Sequence, residues 1–193
     1  GKEIDVSRNA LGPEEAALVS HALTLPWVGV TKLNLSNNNI GRKGSGSIAN
    51  GLKVNTALTT LSLGYNDIGT DGAVAIAEAL EASALIKLDL RGNSIGDTGA
   101  AAIAQALKGS AVSRIGVHIA EGAVKLASLN LSSNRIGPKG STAIAKALQG
   151  NAVLTNLNLE GNRIGDCGAT AMAEALKANL VLSSLWLADN SIS

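Results

Sequence analysis

The stretch from Leu33 to Leu61 constrains this chain more than any other feature. Leu33, Leu35, Asn38, Ile40 and Gly41 are followed by Gly44, Ile48, Ala49 and Leu52, and the same order of residue types restarts at Leu61. Alignment on the first leucine places unit starts at Ile4, Leu33, Leu61, Leu88, Leu129, Leu157 and Leu185, at steps of 29, 28, 27, 41, 28 and 28 residues. Six units and the opening of a seventh therefore fill the chain. A period of this length marks supersecondary units that bury their apolar faces only against one another.

Each column of the repeat has a physical reason. Residues two apart on a strand share a face, so Leu33 and Leu35, Leu61 and Leu63, and Leu157 and Leu159 point inward. The column Asn9, Asn38, Asn66, Asn93, Asn134, Asn162 and Asn190 is polar within an apolar pattern. An amide has donors and an acceptor, so these side chains are expected to form a structural ladder between neighbouring turns. An apolar residue and glycine follow, as in Ile40-Gly41 and Ile68-Gly69, where glycine permits positive φ as the chain turns toward a helix. Pro13 and Pro138 suit a first helical turn, and Asp71, Asp97 and Asp166 are expected to cap the same helix starts or favour their dipoles. Within the helices, Ile48, Ile76, Ile103, Ile144 and Met172 lie four residues before leucines, on one face toward the strands. The polar column Asn50, Glu78, Gln105, Lys146 and Glu174 faces out. The result is an α/β solenoid over residues 1–193, with parallel strands on its inner wall and helices outside.

Composition narrows the task. Tyr65, Trp27 and Trp186 are the only aromatic residues, so the core is aliphatic, as thin stacked layers permit. Sixteen basic and fifteen acidic residues give a net charge of +1 without a basic run, which argues against a nucleic-acid partner. One cysteine, Cys167, forbids an intrachain disulfide and points to a reducing, cytoplasmic setting. No apolar run approaches the roughly 18 residues of a membrane span, and the first residues lack a signal-peptide stretch.

With the strand, asparagine, Ile-Gly, Gly-Ala and Ile-Ala-x-Ala-Leu positions in place, the chain resembles the ribonuclease-inhibitor-like class of leucine-rich repeats. It is most similar to the receptor-type subgroup at the C-terminus of NOD-like receptors. The resemblance spans essentially all of the chain and implies a right-handed horseshoe, strands concave and helices convex, whose concave face binds proteins or peptides without a cofactor. Ribonuclease inhibitors are rich in cysteine and concave aromatics, which this chain lacks. Ran GTPase-activating proteins share the repeat class but carry a long acidic tail, also lacking here. Gly137-Pro138-Lys139-Gly140-Ser141 superficially suggests a phosphate loop, yet it lies in the repeat's own turn and lacks that motif's spacing.

The 41-residue step carries 13 residues more than the usual 28, located at Ser113 to Lys125. Ser113-Arg114-Ile115-Gly116 echoes Asn134-Arg135-Ile136-Gly137, which suggests a collapsed repeat. A protruding contact loop presenting Arg114 and His118 is the alternative. His118 and Glu121 have no His or Cys partner in register, so no metal site is expected.

Outward strand positions are where recognition would be encoded. One column is Asp5, Asn34, Ser62, Asp89, Asn130, Asn158 and Trp186; the next is Ser7, Ser36, Gly64, Arg91, Ser132, Glu160 and Ala188. Most are small and polar. Tyr65, Asp89, Arg91, Glu160 and Trp186 are the candidate contacts, with an Asp89–Arg91 surface pair as the plain alternative. The function expected is a non-catalytic scaffold for a protein or peptide partner, through the concave face or the insert. A GTPase activator using Arg91 and an architectural subunit of a large assembly are the competing readings. Without a polar capping unit at either end, the chain is expected to be a section of a longer protein.

Overall fold

The strand leucines and helix isoleucines of each unit share one interior, and the computed structural model, which describes residues 1–25, 29–108 and 124–193, stacks the units in chain order. The elements are β1 (Lys2–Asp5), α1 (Pro13–Leu23), β2 (Val30–Asn34), α2 (Gly41–Val54), β3 (Thr60–Ser62), α3 (Gly69–Leu80), β4 (Lys87–Asp89), α4 (Gly96–Lys108), β5 (Ser128–Asn130), α5 (Pro138–Leu148), β6 (Asn156–Asn158), α6 (Gly165–Ala178) and β7 (Ser184–Trp186). All strands pair in parallel, in the order β1 to β7. Ile4, Leu33, Leu61, Leu88, Leu129, Leu157 and Leu185 are direct partners across the whole sheet. Period and register thus coincide, because a one-residue slip would expose every leucine of a strand.

The core is a column of layers. Leu61, Leu63, Ile68, Ile76 and Leu80 fill one layer, and Leu88, Leu90, Ile95, Ile103 and Leu107 the next, each at most 2% exposed. Each such side chain contributes on the order of 1.5 to 3 kcal/mol through burial. The outer helix column Asn50, Glu78, Gln105, Lys146 and Glu174 is exposed, as its polarity requires.

Helices approach each other more closely than alanine alone allows. A methyl at Gly72 would meet Ser45 Oγ and Ile68 Cγ2, and one at Gly168 would meet Ser141 Oγ and Ile164 Cγ2. Gly44 and Gly99 face Ala16 and Ala73 in the same way. This glycine column sets the helix spacing to match that of the strands.

Amides hold the turns. Asn93 Oδ1 accepts the N–H groups of Asn66 (2.9 Å) and Ile68 (3.3 Å), while its Nδ2 donates to the carbonyls of Leu63 (2.9 Å) and Leu90 (3.0 Å). Asn38, Asn66, Asn134, Asn162 and Asn190 are buried and bridge coils in the same manner. Asn9 departs from the expected ladder. It is exposed and donates only to its own coil's Ser7 carbonyl, because the bridge runs to the preceding coil and Asn9 lies in the first.

Two expectations about helix starts are corrected. Asp97 does not cap α4; its Oδ1 accepts the N–H groups of Gly137 (2.6 Å) and Gly140 (2.9 Å) at the start of α5. Asp166 likewise reaches forward to the N–H and hydroxyl of Ser193, while Asp71 pairs backward with Arg42 at 3.3 Å. Carboxylates in this column thus link neighbouring coils. Positive φ occurs at Gly41, Gly69, Gly96 and Gly165, but Gly12 and Gly137 are extended. Those two precede prolines, whose ring favours extended backbone in the residue before it.

β4 and β5 pair without interruption across the long step, so the additional residues leave the sheet intact. The Ser113 to Lys125 insert lies outside the described residues except for its last two. Of these two, Val124 is 1% exposed within the core.

Candidate protein-interaction surface

The sheet face turned away from the helices is built from short polar side chains, and most of their acceptors are already engaged. Asp5, Asn34, Asp89, Asn130 and Asn158 each present Oδ1 to the backbone N–H two residues on, at 2.8 to 3.0 Å. These are Asx turns, which end each strand and turn the chain into its loop. The column read from sequence as a recognition column is therefore partly architectural. Its signal was present as an Asp or Asn at the last position of five of the seven strands. A second row of bridging amides was also missed: the half-buried Asn55 and the buried Asn151 and Asn179 each donate to a carbonyl of the preceding coil and accept two backbone N–H groups after the helix.

Three of the predicted contacts come together. Arg91 Nε donates to Asp89 Oδ2 at 3.2 Å, and its guanidinium lies 5.9 Å from the centre of the Tyr65 ring. The arginine is half-exposed, whereas the Asp89 side chain is 20% exposed and both its oxygens are occupied within β4 and its exit. Asp89 orients Arg91 rather than offering itself to a partner. Exposed ion pairs of this kind contribute at most about 1 kcal/mol to stability.

Tyr65 occupies a particular backbone slot. The equivalent residues Arg8, Asn37, Tyr65, Gly92, Ser133, Gly161 and Asp189 all have positive φ, between 54° and 67°. Glycine and asparagine adopt this conformation cheaply, and a bulky ring does not. Tyr65 is nonetheless 49% exposed, and its ring lies over Gly92, where a methyl group would collide with it. Gly64 similarly leaves room for Arg91, a Cβ there lying 3.1 Å from Arg91 Cγ. Small residues on both sides thus display one aromatic and one cationic side chain together.

Glu160 and Trp186 stand apart from this cluster. Glu160 follows β6, two strands beyond β4, and is exposed. Trp186 is 46% exposed on β7 and pairs in register with Asn158. Arg114 and His118 lie outside the described residues. His21 and Cys167 are exposed, and the described residues contain no group of His, Cys, Asp and Glu able to hold a metal ion.

Beside Arg91 lies a shallow depression of about 250 Å³, lined by Thr60, Ser62, Lys87, Asp89, Ser128 and Asn130 among others. Toward the N-terminal edge of the same face, Lys32 pairs with Glu3 at 3.3 Å. There the Asp5 carboxyl is held below its ordinary value by hydrogen bonds from the Ser7 side chain and backbone and from the Asn34 amide.

A family model described as a leucine-rich repeat matches residues 30–49, 54–77, 84–104, 122–145 and 150–173, together more than half of the chain. The match is to the repeat in general and does not separate the receptor-type subgroup. No curated protein matches. Among solved structures, "Leiomodin-1 Actin-Binding Site 2 (ABS2)" is similar in fold, with 23% identity over 90% of this chain and 78% of that one and a TM-score of 0.50. The chain belongs to the leucine-rich-repeat family.

Proposed function

We propose that this chain is a non-catalytic scaffold that binds a protein or peptide partner across its strand face, centred on Tyr65 and Arg91. The observation that supports this reading most directly is Tyr65, an exposed ring kept in a left-handed backbone slot and accommodated by Gly92. A bulky side chain in this conformation costs roughly 1 kcal/mol or more, and here it holds a half-exposed ring beside the Arg91 guanidinium. Tyrosine and arginine are also the residue types that carry most binding energy at interfaces. Work inside the cell, in a reducing compartment, fits the single exposed thiol of Cys167.

Capture experiments from native lysate with the wild-type chain and with Tyr65→Ala and Arg91→Ala variants test the reading. Proteins retained by the wild type should be lost from both variants while circular dichroism stays unchanged. Retention of the same proteins at equal yield would remove the strand face from the reading. The GTPase-activator alternative gains no support from the geometry, since Arg91 is braced by Asp89 rather than projecting from the rim.

A further inference from the structure

The Asx turns that shape the strand face give it a chemical bias. Around the β4 depression the carboxylate and side-chain amide acceptors are consumed. Asp89 Oδ1 takes the Arg91 backbone N–H and Oδ2 takes Arg91 Nε, while Asn130 Oδ1 takes both the N–H and the hydroxyl of Ser132. The donors remain. Lys87 Nζ, the Arg91 Nη groups, Asn130 Nδ2 and the hydroxyls of Ser62 and Ser128 have no protein partner among the described residues. Two cations, the unpaired Lys87 and the Asp89-braced Arg91, stand two residues either side of a satisfied carboxylate with neutral donors beside them, and complement a ligand that brings acceptors and negative charge.

We infer that the surface centred on Lys87 and Arg91 recognises an acidic peptide segment, an extended stretch of a partner protein carrying at least two carboxylates, with Tyr65 packing against its neighbouring side chain. This inference rests on the strand-face reading above and adds the partner's chemistry to it. Lys87 opens β4 and Arg91 lies two residues past its end, so the two cations flank Asp89 along the chain and can each meet one carboxylate of the same peptide. Arginine offers a carboxylate paired N–H groups in a fixed plane, and lysine adds a point charge. The phosphate chain of a nucleic acid fits less well. It needs a track of cations, and on this face Lys32 and Arg91 alternate with the carboxylates of Glu3 and Asp89 that pair with them.

Selection of peptides from a random nonamer display library against the immobilised chain tests this directly. Enriched sequences should carry two or more Asp or Glu residues. Synthetic versions should bind with an affinity that falls as salt rises, and that drops about tenfold or more in Lys87→Ala and Arg91→Ala variants. A Lys87→Glu, Arg91→Glu double variant should reverse the preference toward Lys- and Arg-containing peptides, a result that loss of folding cannot produce. Enriched peptides without acidic residues that still depend on Tyr65 and Arg91 would overturn the acidic assignment and leave the strand-face scaffold standing. Peptides indifferent to all of these substitutions would overturn both. No enrichment, or tighter binding of a single-stranded oligonucleotide than of any acidic peptide, would also overturn the inference.

Discussion

At the scale of single residues, the structure depends on amides that each serve two coils. Asn93 satisfies two backbone N–H groups of the preceding turn and carbonyls on both sides, in a position with no exposure. Replacing it with alanine strands several buried polar groups, each worth about 1 to 3 kcal/mol. Asn93→Ala should therefore destabilise the chain by more than about 3 kcal/mol, and Asn9→Ala, at an exposed position with one local bond, by less than about 1 kcal/mol. Urea denaturation of the two variants checks the contrast, and equal losses would contradict the bridging role. The asparagine column was legible because a polar residue recurring among leucines must be paired. The Asx column was not read, because an exposed Asp or Asn is equally compatible with recognition and with a local turn. Only the positions of the Ser7, Ser36 and Arg91 N–H groups separate the two.

At the scale of the element, the helices are defined as much by what they omit as by what they bury. The i, i+4 pairs of Ile and Leu were enough to place α2 to α5 and their inward faces, whereas in α6 Met172 is buried and Leu176 is exposed. The spacing between helices is set instead by Gly44, Gly72, Gly99 and Gly168. Gly72→Ala should cost about 1 to 3 kcal/mol through overpacking against Ser45 and Ile68. Gly46→Ala, in the same kind of helix but with open space around it, should stabilise by roughly 0.5 to 1 kcal/mol. Thermal melts of both variants give the test, and the same sign for both would refute the role of the column. The place of Asp71, Asp97 and Asp166 in first helical turns was legible from sequence, and the hydrogen-bond partners of Asp97 were not. Asp97 lies in the first turn of α4, yet its carboxylate serves α5, a relation between coils that spacing along the chain cannot express.

At the scale of the whole molecule, stability accumulates from contacts between neighbours along one axis. Acid acts on this arrangement unevenly. Asp5 and Glu15 sit in the first unit and Asp166 reaches Ser193 in the last, and all three carboxyls are held below their ordinary values. The cause is hydrogen bonding: to Ser7 for Asp5, to backbone N–H groups of Glu15 and Gly12 for Glu15, and to Ser193 for Asp166. A carboxyl whose pKa is lower folded than unfolded adds stability above its unfolded value, and that contribution is lost as pH falls through the folded one. Carboxyl carbon NMR titration should place the three midpoints below 3.8, 4.5 and 3.8 respectively. On acidification the end coils should loosen before β3 to β5, and simultaneous loss along the whole stack would contradict the uneven distribution.

Period, columns and residue types by themselves determined the solenoid, its parallel sheet, the leucine register and the inward amides, because each follows from which side chains must leave water. The sequence also held Tyr65, Asp89 and Arg91 as candidates without saying that they meet. Tertiary structure decided that Asp89 is consumed in bracing Arg91, that Gly92 makes room for Tyr65, and that Glu160 and Trp186 stand elsewhere. It also decided that, around β4, the carboxylate and amide oxygens are engaged while Lys87 Nζ, the Arg91 Nη groups and Asn130 Nδ2 are free among the described residues. The physical reason is that burial is written in each residue's own chemistry, whereas the balance of unspent hydrogen bonds on a surface depends on which strands lie side by side.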